Sequence, residues 1–166
     1  MRRTASAFVF LSIMIMASTE ASAAPVEDRL PAAKVRIVSS LEEVSGLPAA
    51  PAVLVFFSLD CHVCWEELFE VRYILEKNGV PIALIGITAD SREDLEPFLA
   101  KHAFFYPVVS DPRRSLSRRF KVKLEPLTVV IEGGRVVHRD NTAESLEKRR
   151  EKLERCLLEI SAGRLS

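Results

Sequence analysis

An apolar run that ends at a pair of cysteines constrains the fold of this chain more than any other feature. Residues 52–57 read AVLVFF, which is continuously apolar and rich in β-branched and aromatic residues, as in a strand buried on both faces of a sheet. From Cys61 the apolar positions change to helical spacing, and this pattern ends at Asn78 and Gly79. Cys61 and Cys64 are therefore predicted to lie in the first turn of a helix that follows a buried strand.

The rest of the chain alternates strand and helix patterns. We predict, in order, a strand over 35–38, a helical turn over 40–44, a strand over 81–88, a helix over 91–102, a strand over 106–109, a brief helix from 111, a hairpin over 127–138 and a helix over 144–160. Asp111 is expected to cap the brief helix, with Pro112 as its first residue. The apolar face of the last helix is predicted to consist of Leu146, Leu153, Cys156, Leu157 and Ile160. This order predicts an α/β domain whose central mixed sheet, parallel first and antiparallel at the hairpin, has helices on both faces.

Residues 1–23 have the features of a secretory signal peptide. Two arginines precede an uncharged, mostly apolar run over 5–17, and residues 21–23 fit the A-x-A cleavage pattern. The run is shorter than the ~20 residues that span a bilayer, which argues against a membrane anchor. We therefore predict cleavage after residue 23, a flexible leader over 24–34, one domain over 35–166 and a periplasmic or secreted location.

Charge and cysteine content narrow the function further. The chain has 23 Lys and Arg against 23 Asp and Glu, whereas a nucleic-acid partner would call for a basic face or stripe, so no nucleic acid is expected. Three cysteines are too few for a disulfide framework, and a domain of this size needs none. The pair at 61 and 64 is therefore expected to have a chemical role.

The start of a helix favours a thiolate at Cys61. Unpaired N–H groups and the positive end of the helix dipole stabilise an anion there, and the thiolate is the reactive form of cysteine. Cys64, one turn further along, is placed to resolve a mixed disulfide formed at Cys61. A protonated His62 would stabilise the thiolate, whereas the Asp60 carboxylate would oppose it unless it caps the helix. The residues leave this balance open, and an exposed His62 without a role stays an alternative.

Metal binding is the competing use of such a pair. A closed zinc site needs four ligands, and the chain has no second Cys or His pair at ligand spacing, because His102 and His138 stand alone. Copper(I) prefers thiolates, so a copper(I)-binding metallochaperone without redox turnover remains the alternative function. A purely structural disulfide is disfavoured, since a two-residue loop restrains the unfolded chain very little. Cys156 is expected to be a buried, inert thiol.

With these elements in place, the chain resembles thioredoxin-fold proteins from about residue 36 to 160. It is most similar to exported thiol-disulfide oxidoreductases related to those of cytochrome c maturation, and to the peroxiredoxin-like group around them. The matching segments are VLVFFSLDCHVCWEEL, PIALIGITAD, YPVVSDPRRSLSRRFKV and LEPLTVVIEGGRVVHRD. The resemblance implies that Pro126 follows a cis peptide bond opposite the cysteines, and that Glu125 and Pro126 present a backbone edge to the substrate. Glu67 matches a glutamate often found three residues after the second cysteine, with a solvated position as the alternative.

The resemblance implies an exported enzyme that exchanges the dithiol and disulfide of Cys61 and Cys64 with cysteine pairs of client proteins, as a reductant. No cofactor or metal is expected, and a membrane redox partner would recycle the pair. Peroxide reduction is disfavoured, because a peroxidase would carry its reactive cysteine in a Thr-x-x-Cys setting. Asp60 and Val63 replace the usual tryptophan and proline around the pair, and Val55 stands where thioredoxins carry a buried aspartate. Loss of that acid favours a specialised client over general reduction, and it leaves the direction of electron flow open, with an oxidant as the alternative to a reductant.

Overall fold

The computed structural model describes residues 36–44, 50–102, 104, 106–140 and 142–163. The predicted signal peptide and leader, residues 1–34, lie outside these ranges. Within them, no helix combines the length and the apolarity that crossing a membrane requires.

Six strands of the described residues form one mixed sheet. They are β1 (Ile37–Val38), β2 (Ala52–Phe57), β3 (Ala83–Thr88), β4 (Val108–Ser110), β5 (Leu127–Glu132) and β6 (Arg135–Arg139). Their order across the sheet is β1-β4-β3-β2-β5-β6. Strands β1 to β4 pair in parallel, while β5 is antiparallel to both β2 and β6, which confirms the predicted sheet.

Helices cover both faces of this sheet. One face packs against α1 (His62–Lys77), α2 (Arg92–Lys101) and α4 (Leu146–Ser161), and the other packs against a 3₁₀ turn (Leu41–Glu43) and α3 (Ser115–Arg119). The predicted apolar face of α4 is wrong at Leu146, which is 44% exposed. The first turn of α4 lies against charged side chains of α1 instead of the apolar core, because Arg149 and Arg150 pair there with Glu67 and Glu70.

The central strand β2 positions the cysteine pair. All six of its residues are buried, because alternate side chains enter the cores on opposite faces of the sheet, and this explains the continuous apolar run. Strand β2 ends at Phe57, shortly before Cys61, and its Phe56 lies opposite Leu127, the first residue of β5. The residues that precede β5 therefore lie at the same end of the sheet as the cysteines.

Helix α3 begins later than the sequence predicts. Its first residue is Ser115, and its N-cap is Arg114, with a left-handed φ of 52°, so Asp111 and Pro112 do not open it. The reason is that the Asp111 carboxylate reaches past the intervening turn and accepts hydrogen bonds from the backbone N–H groups of Ser115 and the next two residues, at 2.9, 2.7 and 3.4 Å. The carboxylate thus satisfies the free amides at the helix start from outside the capping position.

Replacing Asp111 with alanine is expected to lower the free energy of unfolding by about 1–3 kcal/mol at pH 7, because these amides lose their acceptor. Burial acts to raise the pKa of Asp111, but hydrogen bonds from Ser115, Leu116 and Ser117 oppose it, and the pKa lies below its ordinary value. The stabilisation is therefore complete above the unfolded-state pKa of about 3.9 and is lost as pH falls through the lower folded-state pKa.

Urea unfolding of the wild-type protein and of Asp111→Ala, at neutral pH and at the lowest pH where both fold, tests this linkage. The difference in stability between them should shrink in acid. Asp94→Ala is the matched control, because Asp94 is an exposed aspartate in the first turn of α2. At neutral pH this variant should lose less free energy of unfolding than Asp111→Ala. An Asp111→Ala difference that does not change with pH would contradict the assignment.

Candidate active site

The two cysteines form a disulfide at the start of α1. The S–S distance is 2.09 Å, and the Cα atoms are 5.3 Å apart. Cys61 is the N-cap of α1, and its Sγ accepts a hydrogen bond from the backbone N–H of Cys64 at 3.2 Å. Cys61 is partly exposed, whereas Cys64 is fully buried. A sulfur of an incoming molecule therefore reaches Cys61 first, and the helix start is placed to stabilise a thiolate there.

The residues beside Cys61 face solvent. Asp60 is exposed, and the alternative in which it caps α1 is wrong, because Cys61 occupies the N-cap position. The His62 side chain is 90% exposed, and its Nε2 lies 3.9 Å from Oε1 of Glu66. An effect of Asp60 and His62 on the reactivity of the pair stays a prediction.

The loop before β5 carries a cis peptide bond between Glu125 and Pro126, as the resemblance implies. Both residues are partly buried. Leu127, which follows Pro126, lies opposite Phe56 in the neighbouring strand, so this loop and the cysteine pair lie beside adjacent strands at one end of the sheet. Binding of substrate by Glu125 and Pro126 stays a prediction.

A buried carboxylate lies one helical turn after Cys64. Oε1 of Glu67 accepts a hydrogen bond from the Thr128 hydroxyl at 2.7 Å, and Oε2 lies 3.2 Å from Nη2 of Arg149. Burial raises the pKa of Glu67, although Thr128 and Arg149 act to lower it. The alternative of a solvated Glu67 is therefore wrong, because β5 and α4 cover this face of α1.

Glu67 also brings an acid close to a position that the sequence leaves without one. Val55, which stands where thioredoxins carry a buried aspartate, is fully buried and lies directly opposite Thr128 in the sheet. Thr128 holds the Glu67 carboxylate through its hydroxyl. The carboxylate thus approaches this part of the core from α1 instead of from β2.

Arg149 joins Glu67 to a second buried carboxylate, which sequence reasoning missed. The Arg149 Nε donates to Oδ2 of Asp140 at 2.9 Å, and His138 Nε2 lies 3.9 Å from Oδ1 of Asp140. Burial acts to raise the pKa of Asp140, but the contacts with His138 and Arg149 hold it below its ordinary value. Asp140 and Arg149 carry no recognisable spacing to Cys61, so no signal in the sequence pointed to them.

An aromatic stack lies beside the disulfide. Trp65, the residue after Cys64, stacks on Phe98 with ring centroids 4.3 Å apart, and Phe98 stacks on His102 at the same distance. His102 is thus a stacking residue at the end of α2. In the part of the chain that the structure describes, no three or more His, Cys, Asp or Glu side chains are grouped so that they could hold a metal ion.

The third cysteine is a free, buried thiol on α4, as predicted. Burial raises the pKa of Cys156 to about 11, and the charges of Glu159 and Glu132 add to this effect. The thiol is therefore protonated near neutral pH, which is the unreactive form.

Comparison with known proteins shows the family of this chain. The family described as AhpC/TSA matches residues 26–142, well over half of the chain. The chain belongs to the AhpC/TSA family. No curated protein sequence matches it.

Solved structures similar to this AhpC/TSA family member share its thioredoxin-like fold at low sequence identity, which confirms the fold that the resemblance implied. A secreted disulfide oxidoreductase of Mycobacterium tuberculosis, homologous to Escherichia coli DsbE, is 19% identical, with a TM-score of 0.50 over 66% of this chain and 81% of that one. The exposed lipoprotein thioredoxin Etrx1 of Streptococcus pneumoniae is 17% identical, with a TM-score of 0.53 over 64% and 85%. The bacterioferritin comigratory protein of Xanthomonas campestris is 20% identical, with a TM-score of 0.57 over 68% and 81%.

Proposed function

We propose that this protein is an exported thiol-disulfide oxidoreductase that exchanges its Cys61–Cys64 pair with cysteines of client proteins, acting as a reductant. The observation that carries the proposal is the pair itself. Its two sulfurs are within bonding distance at a helix start, and they differ in exposure, with Cys61 partly exposed and Cys64 buried. That asymmetry suits one attacking and one resolving cysteine.

In the reduced protein, the Cys61 thiolate attacks one sulfur of a client disulfide. The second client sulfur leaves as a thiolate and takes up a proton. Cys64 then loses its proton and attacks Sγ of Cys61, the bond between Cys61 and the client breaks, and the released client sulfur is protonated. The protein is left with its disulfide and the client with two thiols, so two electrons and two protons have moved to the client.

Neighbouring residues assist particular steps of this exchange reaction. The N–H of Cys64 donates to Sγ of Cys61, which favours the thiolate that starts the reaction. We assign to Glu67, whose buried carboxylate lies one turn after Cys64 on α1 and has a raised pKa, acceptance of the proton that Cys64 must lose. We assign the binding of an extended client segment to the backbone of Glu125 and Pro126, and the tuning of the Cys61 thiolate to Asp60 and His62.

Export and recycling complete the proposal. The signal-peptide pattern of residues 1–23 supports export, as does the fold that the chain shares with a secreted oxidoreductase and an exposed lipoprotein. A membrane redox partner would return electrons to the pair after each cycle. The chemistry of the pair needs no organic cofactor or metal.

Replacing Cys64 with serine is expected to trap the client as a mixed disulfide at Cys61, because the resolving thiol is gone. The reduced variant is incubated with insulin, and the adduct is assigned by mass spectrometry before and after treatment with dithiothreitol. A Cys156→Ser variant is the matched control, since it removes a cysteine outside the pair and should form no stable adduct. Absence of an adduct, where the wild-type protein reduces insulin, would sink the mechanism.

The same preparations separate the alternative functions. A copper(I) carrier should hold copper in stoichiometric amount and should not turn over insulin disulfides. A peroxidase should consume hydrogen peroxide faster than it reduces insulin. Either outcome would replace the proposed activity. All three assays use the wild-type protein, and dithiothreitol is the electron donor in the insulin and peroxide assays only.

A further inference from the structure

One segment of this neutral chain carries positive charge only. Residues 113–123, RRSLSRRFKVK, contain six Lys or Arg residues and no acidic residue. They form the turn before α3, α3 itself and the start of the loop that leads to Pro126. The even overall balance therefore conceals a strongly basic surface.

This surface borders a groove of about 650 Å³. Four cationic side chains line it together with apolar ones, among them Leu124, which is 67% exposed, and the half-exposed Val136. The cationic residues are Arg119, Lys121, Lys123 and Arg139. Asp140 also borders the groove, but its carboxylate is paired with Arg149 and does not neutralise these cations.

The cations are held without acidic partners. Among the described residues, Arg119, Lys121 and Lys123 form no ion pair, although Arg119 lies near enough to the exposed Glu42 to act on it electrostatically. The Arg139 guanidinium donates to the backbone carbonyls of Phe120 and Lys121, at 2.6 and 2.9 Å, and so ties β6 to the end of α3. Positive charge without an ion-pair partner, beside exposed apolar side chains, makes a surface suited to an acidic, partly apolar partner.

The groove is continuous with the loop at the disulfide. Lys123 and Leu124 directly precede Glu125 and Pro126, and Leu127, which follows them, lines the groove as well. Leu127 is also the residue opposite Phe56, in the strand that leads to Cys61. A client segment bound along Pro126 would therefore extend its neighbouring residues into the groove.

We propose that this groove binds an acidic segment of the client protein, next to the client's reactive cysteine. The proposal rests on the function proposed above and adds the chemistry by which a client is selected. The lysines and arginines attract the acidic side chains, and Leu124 and Val136 contact apolar side chains between them. Because the cations are exposed, their main effect is on the rate of association, and salt weakens it.

The test uses three synthetic peptides, each with one disulfide, that differ only in the residues beside one cysteine. These are Asp and Glu in the first, Asn and Gln in the second and Lys in the third. The full-length protein, reduced with dithiothreitol and then desalted, should reduce the acidic peptide about tenfold faster than the neutral one at low salt, since steering of this kind raises association rates tenfold or more. The ratio should fall towards one in about 0.5 M NaCl, where the screening length is several times shorter than in dilute buffer.

Variants at two exposed lysines show whether the groove causes the preference for the acidic peptide. Lys121→Glu with Lys123→Glu should reverse the preference, so that the lysine peptide becomes the faster one. Lys121→Gln with Lys123→Gln should remove the preference, and this milder variant covers the case in which the charge reversal does not fold. Lys148→Glu with Arg155→Glu changes the net charge equally on the exposed side of α4 and should keep the wild-type preference.

The outcomes distinguish this inference from the proposed function. Equal rates for the acidic and neutral peptides overturn the groove inference and leave the exchange activity in place. If no peptide is reduced, the exchange activity fails, and fluorescence anisotropy of the acidic peptide with both cysteines changed to serine decides the groove separately. Binding of this peptide to the wild-type protein that is lost in the Lys121→Glu, Lys123→Glu variant supports the groove inference. Binding to vesicles that contain phosphatidylglycerol, without a preference among the peptides, overturns it in favour of a membrane surface.

Discussion

Replacing Cys61 with serine is expected to abolish disulfide exchange, lowering the rate constant for insulin reduction by at least about a thousandfold, as loss of a nucleophile does in other enzymes. Cys61 is the partly exposed cysteine of the pair, and its Sγ accepts a hydrogen bond from the backbone N–H of Cys64. A serine hydroxyl at the same helix start is a far weaker nucleophile, and Cys64 is buried, so it does not replace Cys61 as the attacking residue. The single-turnover rate of the reduced protein with insulin measures the effect.

The tryptophan beside the pair provides a second readout. Trp65 directly follows Cys64 and is the only tryptophan in the chain, so its fluorescence is expected to change when the disulfide is reduced. Cys61→Ser should lose this change, while Cys156→Ser should keep both the change and the wild-type rate. Exchange that survives in Cys61→Ser would show that Cys64 attacks first and would reverse the two roles.

Replacing Arg149 with methionine should lower the free energy of unfolding by about 3–5 kcal/mol, because removal of one partner leaves buried charges without compensation. Arg149 lies between the carboxylates of Glu67 and Asp140, and its contacts with both are almost completely buried. At the roughly 2–4 °C per kcal/mol usual for a domain of this size, the melting temperature should fall by roughly 10 °C. Thermal and urea unfolding at pH 7 measure the loss.

The neighbouring arginine is a matched control. Arg150 lies in the same turn of α4 as Arg149 and pairs with Glu70 of α1, but the Arg150 and Glu70 side chains are 40% and 28% exposed. Arg150→Met is therefore expected to lower the free energy of unfolding by less than about 1 kcal/mol. Similar losses in both variants would show that the Arg149 cluster is no more important to stability than a surface ion pair.

The buried cluster also links stability to the proposed chemistry. Glu67 contacts β5 through Thr128 and α4 through Arg149, and it lies one turn from Cys64 on α1. The element that carries the resolving cysteine is thus joined by charged and hydrogen-bonded contacts to the strand that follows Pro126. This arrangement fixes the position of α1 relative to the loop assigned to the client.

The sequence by itself determined the elements whose signals are local. The apolar run of β2 and the change of period at Cys61 predicted a buried strand followed by a helix, because burial on both faces and helical spacing leave direct patterns along the chain. The placement of Cys61 at the helix start followed from the same few residues. The cis bond at Pro126 was implied only by the family resemblance, since nothing within this chain distinguishes it from a trans bond.

Only the tertiary structure decided which charged side chains meet. Glu67 is buried because β5 and α4 cover its helix face, and Arg149 reaches it from a helix near the far end of the chain, a separation with no periodic signal. The basic groove leaves no signal in the net charge, because a value of zero averages over the whole chain, while β6 and the end of α3 bring cations together locally. Local patterns are set by the repeat of one helix or strand, whereas these sites depend on how separate elements pack.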